Sequence, residues 1–262
     1  MSGERSLARR RVVVTGASSG IGAALARDLA GRGAHVVLVA RGRTALEELA
    51  RPLPHSEVVA GDLSTAEGCA RVAEQILAGG VPEVVIHNAG AGRWLAVDET
   101  PPGEAATMMA VPYLAAFELT RALAPAMVER GSGRMVYMTS VSAFLHVPGS
   151  TGYSAARWAV RALAGLVRAD LRGTGVEVTL LAPAEVDSPY FEHNPGSRER
   201  IPKASKLMGG RTSTEKIARL CLDAVESGRR TAILPRQAAL VVRTTPPPML
   251  DWLAARTGWR HP

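Results

Sequence analysis

In the stretch "STGYSAARWAVRAL", Tyr153 precedes Arg157 by four residues. At helical spacing the two side chains share one face and can meet. A phenol beside a cation has the makings of a proton donor, because the cation stabilises the phenolate left behind. Two unit charges about 4 Å apart at an effective dielectric near 20 attract by roughly 4 kcal/mol. The same spacing also describes an ordinary half-solvated helix face, and the pair alone does not separate the two readings. A second candidate is "TGASSGIG", with Gly16, Gly20 and Gly22. Glycine permits positive φ and close backbone approach, and a helix N-terminus after such a turn offers free N–H groups and a positive dipole end to a pyrophosphate. A tight structural turn is the alternative, and position along the chain has to decide.

The elements around these residues supply that position. "RVVV" is a short apolar run entering the glycine turn, and "IGAALARDLAGRG" carries helical spacing to Gly31 or Gly33. "HVVLVA", "SEVVAGDL", "PEVVIHNAG", "GRMVYMTS" and "GVEVTLLAP" read as further strands. Between them lie helices in "TALEELARPL", "TAEGCARVAEQILAGG", a long segment from about Glu104 to Arg130, and the helix of Tyr153. Strands that are unbroken apolar runs, alternating with helices, imply an α/β fold with a Rossmann-like, doubly wound parallel sheet in a single domain. Ligands bind such sheets at the carboxyl ends of the strands. The glycine turn, "GDL", "HNAG", "TSVS" and "APAEVDSP" all fall there. This favours the dinucleotide reading of the turn.

The 262 residues, 47% hydrophobic and 21% charged, suffice for a sizeable core. No apolar run reaches membrane-spanning length and no leader is evident, so no stable membrane insertion and a cytoplasmic location are expected. The net charge of +7 raises the question of nucleic acid. Only Lys203, Lys206 and Lys216 are lysine, however, the arginines are scattered, and aromatic residues make up 4%, so no nucleic-acid partner is expected. Cys69 and Cys221 lie far apart without ligand-like spacing; both read as helix-core residues, and no metal site is expected. "RTTPPPML" marks a change of character. The expected layout is a catalytic domain over 1–235, with a lid over about 188–210, and a peripheral tail over 236–262 that covers the pocket or contacts another subunit.

Thr15 to Gly22 resembles the T-G-x-x-x-G-x-G turn of the short-chain dehydrogenase/reductase family, and "HNAG" at 87–90 resembles its N-N-A-G motif. Ser140 lies thirteen residues before Tyr153, which is that family's serine–tyrosine spacing, and "APAEVDSP" is similar to its P-G-x-V-x-T segment. The resemblance runs in order from about residue 10 to 235. It implies that Gly16, Ser18, Gly20, Ile21 and Gly22 cradle a pyrophosphate, that Asp62 and Leu63 meet adenine, and that Asn88 lies near a ribose. Val186 and Ser188 would hold the nicotinamide amide. Where NAD-preferring members often carry an acidic residue after the second strand, this chain has Ala40 and Arg41. Arginine can pair with a 2′-phosphate as a fork, so NADP(H) is the expected cofactor, with an ordinary exposed loop arginine as the alternative. Tyr153 and Ser140 would supply the proton and the second hydrogen bond that a carbonyl needs as it accepts a hydride.

Two departures stand against a simple transfer of the family's chemistry. Arg157 occupies the position of the family's lysine; it keeps the charge and can reach a ribose but cannot release a proton. Pro112 aligns with the asparagine that anchors a relay water and has no side-chain hydrogen bond to give. Ala184 also replaces a glycine. Trp94, His146, Tyr190 and Phe191 are expected around the substrate, with His193 on the lid. His146 is also an alternate acid, although packing is the commoner role for each. The expected function is hydride transfer between NADP(H) and a carbonyl or secondary alcohol of a small, partly apolar substrate, in a homodimer or homotetramer. A non-redox elimination, isomerisation or cyclisation on the same scaffold is the second reading, and a non-catalytic nucleotide-binding protein the third.

Overall fold

The computed structural model describes residues 5–259. Seven parallel strands form one sheet in the order β3-β2-β1-β4-β5-β6-β9. They are β1 (Arg11–Thr15), β2 (His35–Ala40), β3 (Ser56–Ala60), β4 (Val84–His87), β5 (Gly133–Met138), β6 (Val176–Pro183) and β9 (Thr231–Leu234). Successive side chains of a strand point to opposite faces, so Val12 and Val14 pack on one side and Val13 on the other. The first side is covered by α1 (Gly20–Gly31), α2 (Arg43–Ala50) and α8 (Thr214–Glu226), through Leu25, Leu46 and Ile217. The second is covered by α3 (Ala66–Ala78), α5 (Ala115–Arg130) and α6 (Thr151–Asp170), through Val72, Leu119 and Val160. Cys69 and Cys221 are buried in these two layers, as helix-core residues. Arg32, the C-cap of α1 and paired with Asp28 on that helix, ties α1 to α8 through Asp223 and Glu226.

The strand order reverses between β1 and β4, which pair directly with Val13 opposite Val85. A crevice therefore opens beyond their carboxyl ends, beside the glycine turn. The long helix expected over 104–130 is divided. α4 (Glu104–Met109) passes through a π-helical turn at Ala110–Leu114 into α5, with the Ala115 N–H reaching back to the Ala110 carbonyl. Pro112 lies buried in that turn. Its ring lacks an N–H and crowds the preceding turn, and the widened turn accommodates it.

After β6, a short ribbon pairs β7 (Val186–Asp187) with β8 (Thr212–Ser213). The chain between them leaves the sheet and carries α7 (Tyr190–His193) and two 3-10 turns. The residues expected as a tail over the pocket or at a subunit contact form α9 (Arg236–Thr244) and α10 (Pro247–Thr257). These build a third apolar cluster in which Ala238, Leu250 and Ala254 pack with Leu145, Met208 and Ile233. No helix among the described residues is long and apolar enough to cross a membrane.

Candidate active site

The glycine turn is shaped for close backbone approach. Gly16 has φ +67°, and a Cβ there would lie 2.8 Å from Ala89 Cα; a Cβ on Gly22 would lie 2.1 Å from the Gly16 carbonyl oxygen. Ser19, at the start of α1, makes no side-chain capping bond among the described residues. The first-turn N–H groups therefore face the crevice with the positive dipole end behind them. Thr15 fixes the turn against β4: its Oγ1 accepts from the Asn88 N–H at 3.0 Å and the Ala89 N–H at 2.9 Å. The Asn88 side-chain amide donates to the Thr15 carbonyl at 3.0 Å, so it holds the turn in place.

One cleft of about 1030 Å³ runs over these strand ends. Gly16, Ser18, Gly20, Ile21, Gly22, Arg41, Asp62, Leu63, Asn88, Val186 and Ser188 all line it. Arg41 is exposed and has no ion pair among the described residues. The Asp62 carboxylate accepts from the Ser64 N–H at 3.0 Å and its hydroxyl at 2.9 Å, bonds that hold it below the usual carboxylate range, with Arg41 adding to the effect.

Farther along the cleft lie Ser140, Tyr153 and Arg157. Ser140 caps the 3-10 turn after β5, its Oγ accepting from the Ser142 N–H at 3.3 Å. On α6 the Arg157 guanidinium carbon stands 4.7 Å from the centre of the Tyr153 ring. The tyrosine and arginine thus meet, face against cation. Arg157 is 8% exposed, and its Nε has no hydrogen-bond partner among the described residues. Its backbone is pinned by Thr139, whose hydroxyl donates to the Arg157 carbonyl at 2.8 Å. A Cβ on Gly90 would lie 2.9 Å from Arg157 Nη2, so the guanidinium occupies space that this glycine leaves open. The bare turn and a buried donor in want of an acceptor both fit a dinucleotide.

Trp94 and Tyr190 frame Tyr153, with ring centres 5.6 and 6.0 Å away. The Tyr190 hydroxyl donates to the Gly92 carbonyl at 2.5 Å and joins the lid to the loop after β4. Burial, and then the neighbouring Tyr153, push the Tyr190 phenol well above its ordinary range, while Arg157 acts in the opposite direction. Phe191 lines the cleft edge-on to Tyr190, and His193 lines it too, its ring on the Pro189 carbonyl at 2.8 Å.

His146 is placed elsewhere, which corrects the sequence expectation for a pocket residue and alternate acid. Its neighbours Leu145 and Val147 line the cleft, but its own ring is exposed, stacks on Trp158 and lies 2.8 Å from the Asp251 carboxylate on α10. Asp251 also accepts from the His146 N–H at 2.8 Å, which turns the residue outward. Pro112 does not line the cleft; Val111 beside it does. The wall made by Leu207, Val241, Leu250 and Leu253 comes from the segments expected as lid and as a tail over the pocket, but none of the four residues was named from the sequence. The one signal for it was an apolar C-terminal stretch with helical spacing.

The short chain dehydrogenase family model matches residues 10–198. The rat protein "Dehydrogenase/reductase SDR family member 7B" is 34% identical over 186 residues, which span 67% of this chain and 57% of that relative's length. A metagenomic short-chain oxidoreductase solved with NADP is similar at 31% identity and TM-score 0.70, covering 84% of this chain and 92% of its own. A short-chain dehydrogenase/reductase from Burkholderia phymatum solved with NAD is similar at 25% identity and TM-score 0.80, covering 91% and 93%. With fold, motifs and cleft in agreement, the chain belongs to the short-chain dehydrogenase/reductase family.

Proposed function

We propose that the protein is an NADP(H)-dependent oxidoreductase that transfers a hydride between the nicotinamide and a carbonyl or secondary alcohol of a small, partly apolar substrate. The observation that carries this is the convergence of Tyr153, Ser140 and Arg157 on the cleft that begins at the glycine turn. When bound, the dinucleotide supplies or accepts the hydride. In the reducing direction Tyr153 gives its phenolic proton to the developing alkoxide, and Ser140 donates the second hydrogen bond. Arg157 would stabilise the phenolate left on Tyr153 and hold the ribose through its guanidinium; because it keeps its proton, Tyr153 would be reprotonated from solvent. Exposed and without an ion pair among the described residues, Arg41 at the end of β2 favours NADP(H). The protein works as a homodimer or homotetramer, without nucleic acid.

Incubation with NADPH and a panel of ketones tests this. The near-ultraviolet absorbance of NADPH should fall as alcohols appear by mass, and Tyr153→Phe should abolish both. A second reading is favoured by Pro112 and Arg157, which alter the proton supply. In it Tyr153 and Ser140 catalyse an elimination, isomerisation or cyclisation without net redox change. A product of changed mass formed with no loss of NADPH would select it.

A further inference from the structure

The end of the cleft beyond Tyr153 is built largely by residues that follow the segment matched to the family, which stops at 198. Leu207 from the lid, Val241 from α9, and Leu250 and Leu253 from α10 close it against Leu145 and Val147. The wall is anchored. Leu250 and Ala254 sit in the third apolar cluster at 3% and 2% exposure, while Leu253, on the same helix, remains partly exposed to the cleft. The Ala204 N–H of the lid donates to Thr257 Oγ1 of α10 at 3.1 Å, and Asp251 holds His146. Lid, α10 and the loop after β5 thus form one surface.

Charge is missing from this chamber. Among the described residues, the arginines lining the whole cleft are Arg41, at the far end, and Arg157, stacked on Tyr153; the lid imidazole of His193 also lines it, but is exposed with its Nδ1 on the Pro189 carbonyl. Among the described residues, the carboxylate lining this end of the cleft, Glu185, accepts from Arg211 at 3.1 Å and from the Ser205 hydroxyl at 3.4 Å. The Asn194 amide donates to the Tyr190 carbonyl at 2.7 Å. A carboxylate or phosphate on the substrate would be desolvated there without a counter-charge, at a large cost. An aliphatic body would be welcomed.

We propose that the substrate is an uncharged lipophile, and that Val241, Leu250 and Leu253 select it by burying its aliphatic body against the C-terminal helices. This rests on the hydride-transfer reading for the position of the reacting carbonyl. The test uses methyl ketones from butanone to dodecanone, and the same series ending in a carboxylate, in turnover with NADPH and in calorimetric titration without it. In the neutral series both kcat/KM and affinity should rise about fourfold per methylene until the chamber is filled, and a terminal carboxylate should remove the gain. Leu253→Asp should cut the dodecanone-to-butanone ratio at least tenfold. Met249→Asp, exposed on the outer side of α10, should keep the parent profile. If Leu253→Asp does not fold, Val241→Phe serves in its place, since a ring in the chamber should shorten the best chain. A flat profile, or preference for the carboxylate series, overturns the proposal. Chain-length-dependent binding with no reduction of any ketone would sustain it and remove the hydride-transfer reading instead.

Discussion

Arg157 carries a planar fork where a lysine would present a single ammonium, and the fork needs room on both sides. Tyr153 takes one face, while Gly90 leaves the space in which Nη1 and Nη2 sit. In Gly90→Ala the new Cβ would press on the guanidinium and displace it from the place proposed for its ribose contact. NADPH affinity should therefore fall several-fold in Gly90→Ala, and much less when Arg157→Lys is also present, because the slimmer ammonium needs less space. Additive losses in a titrated double-mutant cycle would show that the two sites are independent. Arg41 is a separate case. Losing a charge-assisted bond to the 2′-phosphate costs about 1.5–3 kcal/mol, so Arg41→Ala should weaken NADPH roughly 10- to 100-fold and leave NADH nearly unchanged. Equal affinities for NADPH and NADH in the parent protein would dismiss the assignment. The residue types and spacing of Tyr153 and Arg157 were legible in the sequence, as was Gly90 as part of a motif. That Gly90 makes room for Arg157 was not, since the contact joins the loop after β4 to α6, 67 residues apart in the sequence.

Behind the site, β4, β5 and α5 share a buried polar cluster. The Thr120 hydroxyl lies 2.6 Å from the Ala116 carbonyl, 2.7 Å from the Tyr137 hydroxyl and 3.3 Å from His87 Nε2, and the His87 ring stacks on Tyr137 at 4.9 Å. Burial lowers His87 to about 3 from its ordinary 6.5. Between those values the unfolded chain binds a proton that the folded chain refuses. The stability held by neutral His87 is therefore complete above about pH 6.5 and is lost as pH falls toward 3, by at most about 1.4 kcal/mol per unit. Carboxylates such as Glu57, which the Arg11 guanidinium holds low, lose their share only below their unfolded value near 4.5. Denaturant melts of His87→Gln should accordingly show a flatter pH slope than the parent between about pH 6.5 and 4.5. An unchanged slope in that window would mean that another group titrates there. At this scale, the strands from β1 to β6 were legible as apolar runs between turn residues. β9 was not, because four residues between "SGRR" and Pro235 carry too little pattern, and its partner β6 lies about fifty residues upstream. The proline cluster read as the start of a tail is a helix start, with Pro247 as the first residue of α10, where a fixed φ suits the first turn and the missing N–H has no acceptor to lose.

For the whole molecule, the doubly wound order followed from the alternation of elements, but the C-terminal wall and the outward turn of His146 depend on contacts that no local pattern encodes. The outer surface raises the question of assembly. On α6 the exposed positions Ala155, Trp158, Ala162, Gly165, Leu166 and Ala169 recur at helical spacing and carry no charge before Asp170, the last residue of the helix. Leu166 is 65% exposed, and Leu114 and Phe117, at the start of α5, are 50% and 43% exposed. A solvated helix ordinarily shows a polar outer face, and small residues on an uncharged one let a second helix approach closely. These faces should meet their symmetry-related copies about a two-fold axis, the arrangement most soluble homo-oligomers adopt. Light scattering should then give a mass of at least twice 27.6 kDa, and Leu166→Glu combined with Phe117→Glu should shift it toward the single chain. The paired change should spare the fold, because both side chains are solvent-facing in the isolated subunit, and circular dichroism can confirm that. A concentration-independent mass of one chain for the parent protein would reject the assembly and leave the uncharged face of α6 without a partner.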